Sequence, residues 1–345
     1  MTRAALFLMT LLLAALPAAA EQKLVYNLGL EPKSLDPHGA TGVKEAHVIL
    51  NLIEGLTRTD EKGQAVPALA ERWEVSPDQR TYTFHLRQAE WSNGEPVTAD
   101  DFVFAWRRIL DPATAAEYAH QLFFLEGAEE FNAGRSKDPS TVGVKALSTG
   151  TLEVRLKHPA SFFPNVTAHY AYSPLKESWV KAHPNWSSNP SEYLVNGPFR
   201  LAEWRHNDRI ILKKNPRYHR AAEVALETVE MPMVKNASTA LQLWESGRID
   251  LIEGDIPLPN IPRLKRDGKF KTSPYLGTYF VVFNNQRKPF DDPRVRKAFA
   301  LVLNREQITR AILRGGQPPA YAMVPLGIET PEGDFRQKGG DLFKE

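Results

Sequence analysis

Cysteine is absent from all 345 residues, which excludes disulfide frameworks, thiolate zinc sites and cysteine nucleophiles. An excess of one charge is also missing. Forty-three Lys and Arg stand against 41 Asp and Glu, a net +2, too little to mark a nucleic-acid binder. Beyond the first twenty residues no apolar run approaches membrane length, and there is no internal repeat or low-complexity stretch. Catalytic signatures are equally scarce. The histidines, at His38, His47, His85, His120, His158, His169, His183, His206 and His219, form no H-E-x-x-H and no close pair, and there is no G-x-S-x-G elbow, P-loop or G-x-G-x-x-G. The acidic pairs Glu129-Glu130 and Asp291-Asp292 read as solvated surface or helix N-terminal charge rather than a catalytic dyad. The chain is therefore expected not to be an enzyme and to carry no metal or cofactor. A secreted hydrolase is the alternative class, because a triad assembles in space and needs no local motif.

What is present is a folded-protein composition, 42% hydrophobic and 24% charged, long enough for about two domains at roughly 100–200 residues each. Arg3 is followed by the apolar stretch Ala4 to Leu16 and then Pro17-Ala18-Ala19-Ala20. A basic residue, a short apolar core and small residues before Glu21 read as a cleavable secretory signal over residues 1–20. With no cysteine at the cleavage site a lipid anchor is excluded. The mature protein is expected to be exported, to the periplasm in a bacterium with two membranes.

Along the mature chain, Lys23 to Leu28 is β-prone and Val43 to Leu56 has helical spacing. Thr81 to Leu86 and Thr151 to Lys157 alternate as half-buried strands. Asn93-Gly94 signals a tight turn. Thr98-x-x-Asp101 resembles a capping box, opening a helix with Phe102, Trp106 and Ile109 on one face and stopped by Asp111-Pro112. Phe199 to Trp204 and Arg209 to Lys214 flank a His206-Asn207-Asp208 turn, a hairpin. Ala237 to Ser246 is helical and ends at Gly247. Ile249 to Ile252 and Tyr279 to Phe283 read as buried strands. Asp292-Pro293 and Asn304-x-x-Gln307 start helices. Strands and helices without strict βαβ alternation predict a mixed α/β (α+β) fold. Trp73, Trp91, Trp106, Trp204 and Trp244 read as core anchors, whereas Tyr118, Tyr275 and Tyr279 lie beside breaks in the pattern and suit a cleft wall.

Several strings together point further. They are Ser34-Leu35-Asp36-Pro37, NLIEGL at Asn51 to Leu56, PALAERWEVSPD with TYTFHLR, WSNGEPVTADDFVFAWRRILDP, and NGPF at Asn196 to Phe199. SGRIDL at Ser246 to Leu251, TYFVVFNNQ at Thr278 to Gln286 and FDDPRVRKAFALVLNRE at Phe290 to Glu306 follow. In this order the set resembles the extracytoplasmic solute-binding proteins of family 5, in particular the oligopeptide binders of peptide ABC transporters, the murein-peptide binder among them. The resemblance covers essentially the whole mature chain.

The resemblance implies a two-lobed periplasmic binding protein with an inserted domain, closing on its ligand like a hinged trap. Residues 21–53 and 179–274 would form lobe I, 54–178 the insert and 275–345 the start of lobe II. The implied partners are an oligopeptide ligand and the permease and ATPase in the inner membrane, with no nucleic acid and a monomeric binder. Added-strand pairing suits such a carrier, since it grips the backbone that all peptides share. By resemblance, Thr41, Gly42 and Val43 form part of that grip, Tyr118 is a cleft residue, and Tyr279 and Phe280 line the cleft on the second lobe. Thr41 stands where oligopeptide binders can carry Glu, and Val282 where an acidic residue occurs. Relatives in the family bind dipeptides, nickel chelates, haem or opines, so the same fold with another ligand is the nearest alternative. Family members usually continue for well over a hundred residues more, so a truncated, split or partial chain is expected, with Asp341-Leu342-Phe343 the start of a helix. Such a chain is expected to bind peptides weakly or not at all.

Overall fold

The computed structural model describes residues 22–273 and 275–340, and the signal-like residues 1–20 and the helix start at Asp341 lie outside them. The chain divides into two compact units. The first runs to Asn236 and takes in Leu243–Ile252; the second comprises Ala237–Gln242 and the residues from Glu253 onward.

In chain order the first stretch holds β1 (Lys23–Asn27), α1 (Val43–Leu52), β2 (Thr57–Thr59), β3 (Ala65–Pro67), β4 (Ala70–Val75) and β5 (Thr81–Leu86). There follow α2 (Ala99–Leu110), α3 (Ala128–Asn132), β6 (Val144–Ser148), β7 (Thr151–Arg155), α4 (Phe163–Val166) and α5 (Glu177–Ala182). Then come β8 (Phe199–Arg205), β9 (Arg209–Lys214), β10 (Thr228–Pro232), α6 (Ala237–Glu245) and β11 (Leu251–Ile252). Two main sheets result. One has the order β11-β1-β10-β9-β8, the other β4-β5-β7-β6. In the first, β1 lies parallel to both β10 and β11 while β10, β9 and β8 run antiparallel. All its strands come from residues 23–27 and 199–252, and all those of the second from 70–155.

The β8–β9 hairpin turns where Asn207 adopts φ 56°, a left-handed conformation that Asn tolerates better than most residues. Alternation then buries Phe199, Leu201, Ile210 and Leu212. In the second sheet Tyr82 and Phe84 of β5 face Val154 and Leu152 of β7 in register, and all four are buried. α2 packs on β6 and β7, and its predicted face, Phe102, Trp106 and Ile109, is fully buried. The Trp106 indole N–H donates to the Tyr172 carbonyl at 2.9 Å. Trp91 and Trp106 are core residues, whereas Trp73 and Trp204 are only partly buried, as is Trp244. Glu129 and Glu130 sit in the first turn of α3, where carboxylates suit the helix dipole. No helix among the described residues is long and apolar enough to cross a membrane.

The second unit carries α7 (Ile261–Arg266), α8 (Pro293–Val302) and α9 (Arg305–Gln307), which passes into a π-helical segment Ile308–Leu313. A ribbon of β12 (Glu329–Thr330) and β13 (Gly333–Asp334) leads to α10 (Phe335–Gly339). Both predicted caps form. The Asp292 carboxylate accepts the Arg294 N–H at 2.8 Å and the Asn304 side chain accepts the Gln307 N–H at 2.8 Å. Phe283, Phe290 and Phe299 cluster with ring centroids 4.9–5.8 Å apart.

Two strand expectations need correction. Tyr279 to Phe283 is not a buried strand. It pairs with no strand among the described residues, and Tyr279 is 99% exposed and Phe280 55%. The physical reason is that β-prone side chains make a strand only beside a neighbour that satisfies the backbone N–H and C=O groups. In Ile249 to Ile252 only the last two residues pair, at the sheet edge, and Leu251 is exposed, although Ile249 is buried.

Candidate ligand-binding site

The turn from Ser34 to Gly42 is knitted first by its own short-range bonds. The Asp36 N–H donates to the Ser34 hydroxyl at 3.0 Å and the His38 N–H to Asp36 Oδ1 at 2.9 Å. The Gly39 and Ala40 N–H groups both reach the Asp36 carbonyl at 3.0 Å. A guanidinium from α2 then fixes it. Arg108 is bidentate on Asp36, at 3.1 and 2.7 Å, with the Asp36 side chain 15% exposed. Burial by itself raises the Asp36 carboxyl, but the His38 ring and the Arg108 guanidinium outweigh it, and the carboxyl lies below its ordinary value.

Arg108 also lies 2.7 Å from His38 Nδ1. Because a guanidinium can only donate, Nδ1 accepts and the proton sits on Nε2. His38 is buried and its Nε2 has no partner among the described residues. Burial, with Arg108 adding to it against the opposing pull of Asp36, brings the His38 pKa down to about 3. The ring is a neutral structural acceptor.

Three phenols hold the backbone of the same turn. Tyr193 donates its hydroxyl proton to the Leu35 carbonyl at 2.7 Å, Tyr170 to Ala40 at 3.1 Å and Tyr118 to Thr41 at 2.8 Å. Gly42 is the N-cap of α1, with φ −107° and ψ 160°. A Cβ there would fall 2.0 Å from Glu45 Oε2, and the other oxygen of Glu45 accepts the Lys33 N–H at 2.8 Å. The glycine leaves room for that carboxylate. With the carbonyls of Ala40 and Thr41 occupied by phenols and that of Gly42 by the Ala46 N–H, the amides of Thr41, Gly42 and Val43 have no acceptor among the described residues. Val43 itself is 58% exposed.

Tyr118 belongs to a ring cluster at this turn. Its centroid lies 5.6 Å from His120, 5.8 Å from His169 and 6.3 Å from Tyr170, and His169 stacks on Tyr170 at 4.2 Å. His169 Nδ1 accepts the Ala171 N–H at 3.1 Å, and burial, with His120 nearby, lowers its pKa. The structure thus brings Thr41, Gly42, Val43 and Tyr118 together in the first unit. Tyr279 and Phe280 belong to the second, where Phe280 lines an open groove of about 550 Å³ with Val282, Pro293 and Arg296.

The strings that carried the resemblance are mostly architectural. Within WSNGEPVTADDF, Asp101 Oδ2 accepts the Trp91 indole N–H at 3.0 Å and the Thr98 N–H at 2.9 Å, and burial raises the Asp101 pKa despite those bonds. Asn196 of NGPF is bidentate to the backbone of Glu54 in NLIEGL, at 2.9 and 3.1 Å, and the Gly197 N–H bonds Leu52 at 2.9 Å. Arg108 of FAWRRIL holds Asp36 of the Ser-Leu-Asp-Pro string. Sequence reasoning did not find Arg108, Tyr170 or Tyr193 as neighbours of the site. Each acts over 70 to 160 residues, and no local spacing signals that.

Residues 64–344 match the family profile of bacterial extracellular solute-binding proteins, family 5. The dipeptide-binding protein DppE of Bacillus subtilis is 38% identical over 94% of this chain and 60% of its own length. The periplasmic oligopeptide-binding protein OppA of Salmonella typhimurium is 38% identical over 90% of this chain and 58% of its own. The crystal structure of Haemophilus influenzae OppA in complex with the peptide RPPGFSPFR superposes with a TM-score of 0.82 at 37% identity, covering 89% of this chain and 61% of that one. The chain thus spans about three-fifths of the length of the curated relatives it matches. The mixed α/β expectation holds, in the form of the periplasmic binding protein fold.

Proposed function

The chain belongs to the family 5 bacterial extracellular solute-binding proteins, and from that premise we propose that it is the peptide-capturing component of an ABC import system. It would act in the periplasm, exported by residues 1–20, as a monomer that delivers oligopeptides to a membrane permease and its ATPase. Residues 21–53 and 179–274 would form lobe I, 54–178 the insert and 275–345 the start of lobe II. The observation that carries the reading is the Thr41–Val43 turn. Its amides are free donors while its carbonyls are already engaged, so it suits the carbonyl groups of an extended ligand, which every peptide has. Tyr118 would hold the turn and present a ring face beside it. Tyr279 and Phe280 would supply apolar contact from the second lobe. The relatives are named for peptide binding rather than for catalysis, which favours a binding protein over a hydrolase.

The test is calorimetry of the full chain with a mixture of tri- to pentapeptides carried to millimolar concentration, where weak binding still registers. Saturable heat that weakens in Tyr118→Phe supports the reading. Absence of heat, or hydrolysis of the peptides with loss of that activity on a single Ser or His substitution, overturns it.

A further inference from the structure

Beyond its own short-range bonds, the turn that carries the free amides is held by side chains from distant segments. Arg108 comes from α2, Tyr118 from the 3₁₀ turn Glu117–Leu122, Tyr170 from the turn Tyr170–Tyr172, and Tyr193 from the stretch before β8. Three hydroxyls close on carbonyls at both ends of one seven-residue span, at Leu35, Ala40 and Thr41. Between these clamps the bidentate Asp36–Arg108 pair fixes the middle. Tyr170 and Tyr193 are 3% and 5% exposed, too buried to serve as ligand contacts themselves. Their phenol pKa values are raised by burial, so both remain protonated donors at any physiological pH.

We infer that Tyr170 and Tyr193, with Arg108, are positioning residues for ligand capture: they hold the Thr41–Val43 amides at fixed spacing before any ligand arrives. The inference rests on the peptide-capture reading of that turn. Its physical basis is preorganisation. A turn fixed in advance loses little conformational freedom when it binds, so affinity rises without a new contact. The phenols of Tyr170 and Tyr118 also occupy the carbonyls of Ala40 and Thr41, which removes acceptors from beside the free amides.

The test compares Tyr170→Phe with Tyr82→Phe. Tyr82 is an equally buried tyrosine, 1% exposed, whose hydroxyl donates to the Ala160 carbonyl at 2.8 Å in the second sheet. Both changes delete one phenol-to-carbonyl hydrogen bond and keep the ring, so their effects on overall stability should match. Amide hydrogen exchange is read first, without ligand. Tyr170→Phe should accelerate exchange at the hydrogen-bonded amides of the turn, Gly39 and Ala40, about fivefold to tenfold, the worth of one hydrogen bond, and Tyr82→Phe should leave it unchanged. Peptide affinity is read second and should fall by a similar factor in Tyr170→Phe and in Tyr193→Phe, but not in Tyr82→Phe. Equal effects of Tyr170→Phe and Tyr82→Phe on both readouts overturn the inference, because the hydroxyl would then be merely structural. If the wild-type chain binds no peptide, the peptide reading fails, and the exchange measurement still decides whether the clamp holds the turn.

Discussion

Replacing Arg108 by Met keeps much of the side-chain volume and removes the guanidinium. The cost follows from what remains. The Asp36 carboxylate, 15% exposed, loses two charge-assisted bonds of 3.1 and 2.7 Å and keeps the backbone N–H of His38 at 2.9 Å. His38 Nδ1 loses its donor, leaving both ring nitrogens of a buried imidazole unpaired. Removing one partner of such a pair costs about 3–5 kcal/mol. The seven tryptophans, at 73, 91, 106, 179, 186, 204 and 244, all lie in the first unit, so their fluorescence follows the unit that contains the change. With a urea slope of about 3 kcal/mol per molar, the midpoint should drop by roughly 1 M or more. Removing both charges in Asp36→Asn with Arg108→Met should cost less than the two single changes added together, since no charge is then stranded. A midpoint shift under about 0.2 M for Arg108→Met, or strict additivity in the double variant, would refute the claim that this pair holds the turn.

Acid should destabilise the protein through His38. Its folded pKa, about 3, lies below the ordinary 6.5, so the unfolded chain binds the extra proton and stability falls as pH drops from about 6.5 toward 3. The full effect is about 5 kcal/mol at about 1.4 kcal/mol per unit. The lowered carboxyl of Asp36 acts in the same direction at lower pH, and urea midpoints in His38→Gln should show a shallower slope between pH 6.5 and 4. Two glycines should rank by what a methyl would meet. At Gly197 it would lie 2.8 Å from backbone atoms of Leu52, and at Gly42 it would meet only the movable tip of Glu45. Gly197→Ala should therefore cost about 1–3 kcal/mol and Gly42→Ala about 1 kcal/mol, and the reverse order in urea midpoints would contradict the packing described.

The elements that were legible in the sequence are those whose determinants lie within a few residues. Asp292-Pro293 and Asn304-x-x-Gln307 cap helices as read, the Asp101 carboxylate reaches back to the Thr98 N–H, and the His206–Asp208 turn joins its hairpin. Alternation in TYTFHL matched a strand to the residue. Tyr279 to Phe283 failed because a strand depends on a partner that its own composition does not specify. At the site, Thr41, Gly42 and Val43 were reached through resemblance and Tyr118 also from its place beside a break in the pattern, and the Tyr118–Thr41 bond joins two of them. Arg108, Tyr170 and Tyr193 were not legible, because a hydroxyl that reaches a carbonyl 130 or 158 residues away leaves no periodicity to read.

If the Thr41–Val43 amides grip peptide backbone without reading side chains, those three amide resonances will show it when the chain is titrated with tetrapeptides of apolar, acidic and basic sequence. Thr41, Gly42 and Val43 should shift together with every peptide and to similar extent. Silence at all three amides, or shifts with only one class of side chain, would contradict it.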